Sequence, residues 1–259
     1  MILTNKTAVI YGAGGSIGGA VARAFAREGA RVFLAGRTQS SLDTVAKDIL
    51  ALGGKAETAV VDALDEKAVT DFTDAVVAKA GRIDISFNAI GLEDVQGIPI
   101  VEMSLKDFTQ PIHVAMQTQF LTAKAAGKHM IQQKGGVILS ITATPAGKAY
   151  AFVGGFGPAC SALEGFSRNL ADELGPYGIR VVGIRSAGSP DSAVFLKALE
   201  EEGNGPEPYN AIQELIDNTM LKKLPLMAEI ASAAVFLVSD QASGMTGTFA
   251  NVTCGTTRD

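Results

Sequence analysis

The sequence contains no tryptophan, only two cysteines and only two histidines among 259 residues. Cys160 and Cys254 are too few for a disulfide framework, and this low usage is typical of proteins from a reducing compartment. His113 and His129 fall within one predicted helix, away from both cysteines, so the sequence offers no cluster of metal ligands. We therefore expect a cytoplasmic protein that binds no metal ion.

Neither an excess of positive charge nor a long apolar run occurs in the chain. Lysine and arginine total 22 against 27 aspartate and glutamate residues, which gives a formal net charge of −5. Nucleic acids and anionic membranes attract clustered positive charge, and a membrane-spanning helix requires about 20 consecutive apolar residues. Residues 1–12 also lack the basic start and cleavage site of a secretory signal. We therefore expect no nucleic-acid or membrane partner.

The sequence does contain a regular alternation of short β-rich runs and longer amphipathic runs. The alternation predicts strands at residues 7–11, 31–35, 56–61, 83–88, 136–142, 179–185 and 248–253. It predicts helices at residues 17–28, 40–52, 66–80, 106–133, 158–176 and 228–239. Strands that alternate with helices pair in parallel through right-handed crossovers, with helices on both faces of the sheet. We predict a single α/β domain over residues 1–259, with a doubly wound, three-layered parallel sheet of about seven strands.

Residues 186–225 interrupt this alternation, because a long segment separates the sixth strand from the last helix. An insertion of that length in a compact domain is usually functional, and it often covers a binding site. We expect residues 186–225 to form a substrate lid within the domain. A surface excursion without a function is the alternative.

A glycine cluster at residues 11–18 follows the first strand and opens the first helix. Glycines allow a tight turn there, and a helix N-terminus offers N–H groups and a positive dipole end to a phosphate. Steric needs of the turn alone would also select glycine. Because the cluster occupies the first turn of a doubly wound fold, where dinucleotides bind, we assign it to a cofactor. The candidate cofactor-binding residues of this turn are Gly12, Gly14, Gly15, Ser16, Ile17 and Gly18.

The second strand ends in Gly36 and Arg37. An acidic residue at this place would bind the ribose hydroxyls of NAD, whereas an arginine can bind the 2′-phosphate of NADP. Gly36 removes the carboxylate and Arg37 supplies a positive charge, so the pair favours NADP (NADPH) over NAD. A solvated arginine at a strand end is the alternative.

With these motifs the chain resembles the short-chain dehydrogenase/reductase (SDR) family over essentially its whole length. Residues 11–18 match the family's glycine motif, with Ser16 in place of its middle glycine, and residues 246–255 match its closing motif. The resemblance implies that Asp62 contacts the adenine and that residues 87–91, with Asn88 and Gly91 retained, belong to the cofactor site. It also places residues 186–189 in the loop that contacts the nicotinamide.

The catalytic positions of the family hold different residues in this chain. SDR enzymes use a tyrosine acid, a lysine four residues later, a serine and an asparagine. The resemblance places these positions at Phe156, Cys160, Ala143 and Ala115, and the 13-residue spacing between 143 and 156 fits the family. A carbonyl that accepts a hydride requires a proton and an electrostatic partner, which none of these side chains supplies. Ordinary ketone reduction by the usual residues is therefore not expected.

Two other residues are weak catalytic candidates. Tyr150 lies in the loop after the fifth strand and can supply a phenolic proton, although a tyrosine at a cleft rim is more often an interface residue. Thr142 can hydrogen-bond a substrate, or it can satisfy its own backbone. Cys160 can be a nucleophile if its pKa is lowered, but a small apolar filler is the better interpretation.

Two main hypotheses of function follow from the sequence. The first is an SDR-like, NADP-dependent oxidoreductase of a small molecule with a non-standard proton donor, which fits reduction of an activated C=C or C=N bond. The second is a catalytically inactive SDR homologue that acts as a dinucleotide-binding or regulatory protein. Non-redox chemistry in the same cleft is a third and weaker hypothesis. The apolar surface of the helices at 106–133 and 158–176, with the family resemblance, also predicts a homo-oligomer, either a dimer or a tetramer.

Overall fold

The computed structural model describes residues 1–193, 195–197 and 210–258. Within them the strands are β1 (Thr7–Tyr11), β2 (Arg31–Gly36), β3 (Lys55–Val60), β4 (Ile85–Asn88), β5 (Gly136–Ala143), β6 (Ile179–Ser186) and β7 (Thr248–Val252). The α-helices are α1 (Ser16–Arg27), α2 (Gln39–Ala51), α3 (Glu66–Ala80), α4 (Leu105–Gln133), α5 (Phe156–Leu174), α6 (Asn210–Asp217) and α7 (Met227–Val238).

The seven described strands form one parallel sheet in the order β3-β2-β1-β4-β5-β6-β7. This arrangement confirms the predicted doubly wound fold. The strand order reverses between β1 and β4, and ligands of such folds bind at this point, outside the carboxyl ends of the strands.

Hydrophobic cores cover both faces of the sheet. All five residues of β1 are buried, as expected for a central strand that has helices on both sides. Successive side chains alternate between the faces. Ile10 therefore joins the core that includes Phe25 of α1 and Leu237 of α7, while Tyr11 joins the core that includes Met130 of α4.

The element bounds differ from the predicted ones by only a few residues. Strand β4 begins at Ile85, two residues later than predicted. Asp84 lies directly before the strand and connects it to the start of β1. The Asp84 carboxylate accepts a hydrogen bond of 2.8 Å from the Thr7 backbone N–H. Helix α5 begins at Phe156, two residues earlier than predicted, with Gly155 as its N-cap. No side chain fits at Gly155, because a Cβ there would overlap the Phe108 carbonyl oxygen.

The predicted lid is only partly within the described residues. Residues 194 and 198–209 lie outside them. The described start of this segment is anchored at two points: the Ala193 N–H donates to the Ser16 hydroxyl at 3.0 Å, and the Asp191 carboxylate accepts from the Met227 N–H at 3.1 Å. Its other described part contains α6. Among the described helices, none is both long enough and apolar enough to cross a membrane.

Candidate active site

A cavity of about 270 Å³ opens at the carboxyl ends of β1, β2, β3 and β4, at the point where the strand order reverses. Of the predicted cofactor residues, Gly12, Gly15, Arg37, Asp62 and Gly91 line it. Apolar side chains of Val61, Leu64, Ile90 and Val114 complete much of its wall. The wall thus combines apolar side chains with polar and charged groups, as small-molecule sites commonly do.

The glycine turn is held in shape by close backbone contacts. Gly12 has φ +73°, and a Cβ at this position would lie 2.6 Å from the Ala89 carbonyl oxygen. A Cβ on Gly18 would overlap the carbonyl oxygen of Gly12. Both positions therefore require glycine for packing within the protein, which the steric interpretation of the motif anticipated. A Cβ on Gly14 would likewise lie 2.8 Å from the Ser41 Cβ of α2.

The N-terminus of α1 carries no compensating negative charge. Gly15 is its N-cap, no side chain caps the helix, and its fully described first turn contains no acidic residue. The positive end of the helix dipole and the first backbone N–H groups therefore favour an anion at this point. Ser16 and Ile17 begin the helix here, with Ile17 partly buried against the core.

Two charged side chains meet at the rim of this cavity. An Arg37 Nη2 donates to Glu93 Oε1 at 2.7 Å, and the two side chains are 64% and 50% exposed. Asp62, also at the rim, accepts a hydrogen bond of 3.0 Å from the Leu64 N–H. Glu93 was not among the predicted site residues, and no sequence motif marks it, because only the fold brings it to Arg37.

Asn88 has a structural role at the end of β4. Its amide donates to the Thr118 and Thr122 hydroxyls at 3.3 Å, and its carbonyl oxygen accepts from the Ile90 N–H at 3.0 Å. These contacts join the end of β4 to α4 and shape the loop that continues to Gly91. Asn88 is buried, and it supports the cavity wall rather than lining it.

The fold brings the four residues at the SDR catalytic positions near the start of α5. Cys160 is almost completely buried, and burial raises the pKa of its thiol to about 11, although a hydrogen bond with the Ala143 backbone partly opposes this rise. Ala115 is buried in a small cluster with Ala159, while Phe156 at the helix start is partly exposed. At neutral pH the thiol is protonated, so Cys160 is a poor nucleophile.

A network of charged side chains lies one helical turn after Cys160 along α5. Glu164 is buried, and its carboxylate accepts hydrogen bonds from Arg185 at 2.9 and 2.8 Å and from the Thr142 hydroxyl at 3.0 Å. Thr142, a catalytic candidate from the sequence, therefore donates its hydroxyl proton to the Glu164 carboxylate. The Gly147 backbone makes room for Arg185, because a Cβ there would lie 2.5 Å from the guanidinium.

Tyr150, the other catalytic candidate, lies in the loop between β5 and α5. The Lys148 ammonium is 5.3 Å from the centre of its ring. Lys148 also lines a second, open cavity of about 800 Å³, together with residues 217–220, 222 and 255–258. Because residues 147–148 follow β5 and residues 255–258 follow β7, this second cavity occupies the other half of the sheet's carboxyl edge.

The two histidines line neither of these cavities. His113 is exposed on α4, and His129 pairs with Asp74 at 2.7 Å. Within the described residues, no three His, Cys, Asp or Glu side chains are grouped as metal ligands.

Known proteins resemble this chain over nearly its whole length. Residues 12–257 match the family model described as enoyl-(acyl carrier protein) reductase. Tropinone reductase-like 1 of Erythroxylum coca is 34% identical over 247 residues, 95% of this chain and 88% of that protein. The crystal structure of NAD⁺-bound xylitol dehydrogenase has a TM-score of 0.92 at 26% identity, over 98% of this chain and all of the other. A structure described as a short chain dehydrogenase/reductase family protein has a TM-score of 0.82 at 27% identity, over 98% of each chain. A match of this extent in both sequence and fold establishes that the chain belongs to the short-chain dehydrogenase/reductase family.

Proposed function

We propose that this protein is an NADP(H)-dependent oxidoreductase of a small molecule whose proton donor is not the usual family tyrosine. The observation that carries the proposal is Arg37 at the rim of the first cavity, after a strand that ends in Gly36 rather than in an acidic residue. A carboxylate at this strand end would hydrogen-bond the ribose hydroxyls of NAD, whereas an arginine accommodates the 2′-phosphate of NADP.

The residues present fit a dinucleotide at three places. The first cavity would hold the adenosine, with Asp62 and Gly91 at its rim. The uncompensated N-terminus of α1, at Gly15, would hold the pyrophosphate. The Ser189 hydroxyl is buried and has no hydrogen-bond partner within the described part of the chain, so it is available to a polar group at the nicotinamide end.

A bound nicotinamide dinucleotide supplies or accepts a hydride. Around the reacting atoms this chain would contribute an apolar wall rather than an acid, since Ala143, Phe156 and Cys160 stand at the positions of the family's serine, tyrosine and lysine. Such a wall excludes water but stabilises no alkoxide. Reduction of an activated C=C or C=N bond fits it better than ketone reduction, and the enoyl reductase description of the matching family model supports a C=C bond.

Tyr150 is the proposed source of the proton. It is the tyrosine of the loop that joins β5 to α5, and the Lys148 ammonium lies 5.3 Å from the centre of its ring. Water or the substrate itself is the alternative source.

A second candidate function is a catalytically inactive homologue that binds the dinucleotide for a structural or regulatory purpose. The protonated, buried thiol of Cys160 favours it, because a lysine at this position would be the charged group of an active SDR. Turnover separates the two candidates.

Calorimetry with NADPH and NADH, followed by a turnover screen of enones, imines and quinones, tests the proposal. We expect NADPH to bind more tightly than NADH, and at least one enone or imine to be reduced. Equal affinities would contradict NADP preference, and tight binding without turnover would favour the inactive homologue. If activity is found, Tyr150→Phe should lower it strongly, and a variant that retains full activity at all pH values would exclude Tyr150 as the acid.

A further inference from the structure

The Arg37–Glu93 ion pair spans the mouth of the adenosine cavity. Arg37 follows β2 and Glu93 belongs to the loop after β4, and these two strands flank β1 on its opposite sides. The 2.7 Å contact between the guanidinium and the carboxylate therefore crosses the carboxyl end of β1. Both side chains also line the cavity itself.

The backbone at Glu93 is unusual for a residue with a side chain. Its φ of +54° lies in the left-handed region, which glycine adopts without steric cost and glutamate does not. The turn itself would be served better by glycine. The backbone conformation therefore does not explain why a glutamate stands at this position. The ion pair with Arg37 does explain it.

We infer that Glu93 is a specificity-determining residue that competes with the 2′-phosphate of NADP(H) for Arg37. The inference rests on the proposed function, since it concerns the cofactor of the same site. One guanidinium cannot pair fully with both anions, so a 2′-phosphate that enters must displace Glu93 and remain near its negative charge. NADH carries no phosphate at this position and leaves the pair intact. Glu93 thus reduces the preference for NADP(H) that Arg37 alone would provide.

A double-mutant cycle with the full chain tests this competition. Glu93→Gln, Arg37→Ala and the double variant are titrated with NADPH and with NADH in a calorimeter. We expect Glu93→Gln to tighten NADPH binding about three- to tenfold, since it removes one exposed ion pair and one repulsion between like charges. NADH binding should change by less than about twofold. In the Arg37→Ala background the gain for NADPH should fall to about twofold or less, because no guanidinium is left to release.

Asp48→Asn is a matched control. Asp48 pairs with Arg23 at 2.7 Å, and both side chains are partly exposed on α1 and α2, outside the cavity. This variant removes the same charge and should leave both affinities unchanged.

Three results would overturn the inference: no tighter NADPH binding by Glu93→Gln, an equal gain for NADH, or an equal gain without Arg37. A gain in Asp48→Asn as large as that in Glu93→Gln would also overturn it, because net charge would then be the cause. If the native chain binds NADPH more tightly than NADH and any of these results is obtained, the proposed NADP(H) site is retained and only the role of Glu93 fails. If no variant binds either dinucleotide, both fail.

Discussion

Cys160 is the residue at which burial most clearly decides chemistry. The family lysine at this position would carry a charge, whereas the Cys160 thiol is buried beside the Ala143 backbone and has an elevated pKa. The nearby carboxylates of Asp94 and Glu164 raise that pKa further. A neutral, buried thiol contributes packing and offers no nucleophile at physiological pH.

This elevated pKa predicts how stability depends on pH. The thiol pKa rises from 9.0 to about 11 on folding, so its contribution is complete below pH 9 and is lost as the pH rises towards 11. Over that window the native protein should lose about 2–3 kcal/mol more unfolding free energy than Cys160→Ala. Urea unfolding of both proteins at pH 8, 9, 10 and 11 measures the difference. The buried Tyr11 hydroxyl, whose pKa burial also raises, is present in both proteins and cancels. Parallel curves for the two proteins would contradict the assignment.

In the proposed cofactor site, the first turn of α1 is the element that would meet the pyrophosphate most directly. Gly15 is exposed at the N-cap, with φ −83° and ψ 171°, a conformation that aspartate adopts readily as an N-cap. An aspartate here would cap the helix and would also place a negative charge where the pyrophosphate is expected.

Gly15→Asp should therefore separate folding from binding. We expect the unfolding free energy to change by less than about 1 kcal/mol, because the new cap offsets the tight 3.3 Å approach of its Cβ to the Gly12 carbonyl oxygen. NADPH affinity should fall at least about tenfold, the cost of losing a charge-assisted hydrogen bond. Thermal melting and calorimetry measure the two effects. Gly15→Ser, a neutral cap, is the control and should bind more tightly than Gly15→Asp. If the aspartate variant binds as the native protein does, the pyrophosphate site is elsewhere.

Elements with a clear local pattern were predicted well from the sequence. Helix α3 has the predicted bounds, because the Asp65 side chain caps its first turn and Gly81 ends it in the left-handed region, and both residues are visible in the sequence. The start of α5 was predicted two residues late, since Pro158 suggests a first turn while the true N-cap is Gly155.

Contacts between distant elements could not be predicted. The buried pair of Glu164 and Arg185 joins α5 to β6, and Arg37 meets Glu93 only because the sheet order places β2 and β4 around β1. No local window of sequence encodes these distances. The half of the site proposed for the adenosine was therefore the more predictable, as backbone geometry and glycine shape much of it. The other half of the site, at the carboxyl ends of β5, β6 and β7, depends on side chains from several loops.

At the scale of the whole molecule, the outer surface of α4 carries an exposed aromatic side chain. Phe120 is 48% exposed near the middle of this 29-residue helix, with the Lys124 ammonium 5.6 Å from its ring centre. An exposed phenylalanine on a long helix that packs beside α5 fits an interface with a second copy of the chain. We predict a homo-oligomer, a dimer or a tetramer, that uses this surface.

Phe120→Glu should convert that oligomer to a monomer without unfolding it. A glutamate four residues before Lys124 forms a favourable pair on one helix, so the isolated fold should tolerate the change, whereas a charge at the centre of a subunit contact should not be tolerated. Light scattering at micromolar concentration measures the mass, and circular dichroism checks the fold. Leu52→Glu is the control, because Leu52 is 77% exposed at the end of α2 and its replacement should leave the mass unchanged. A native monomer, or an unchanged oligomer in Phe120→Glu, would show that this surface of α4 faces solvent.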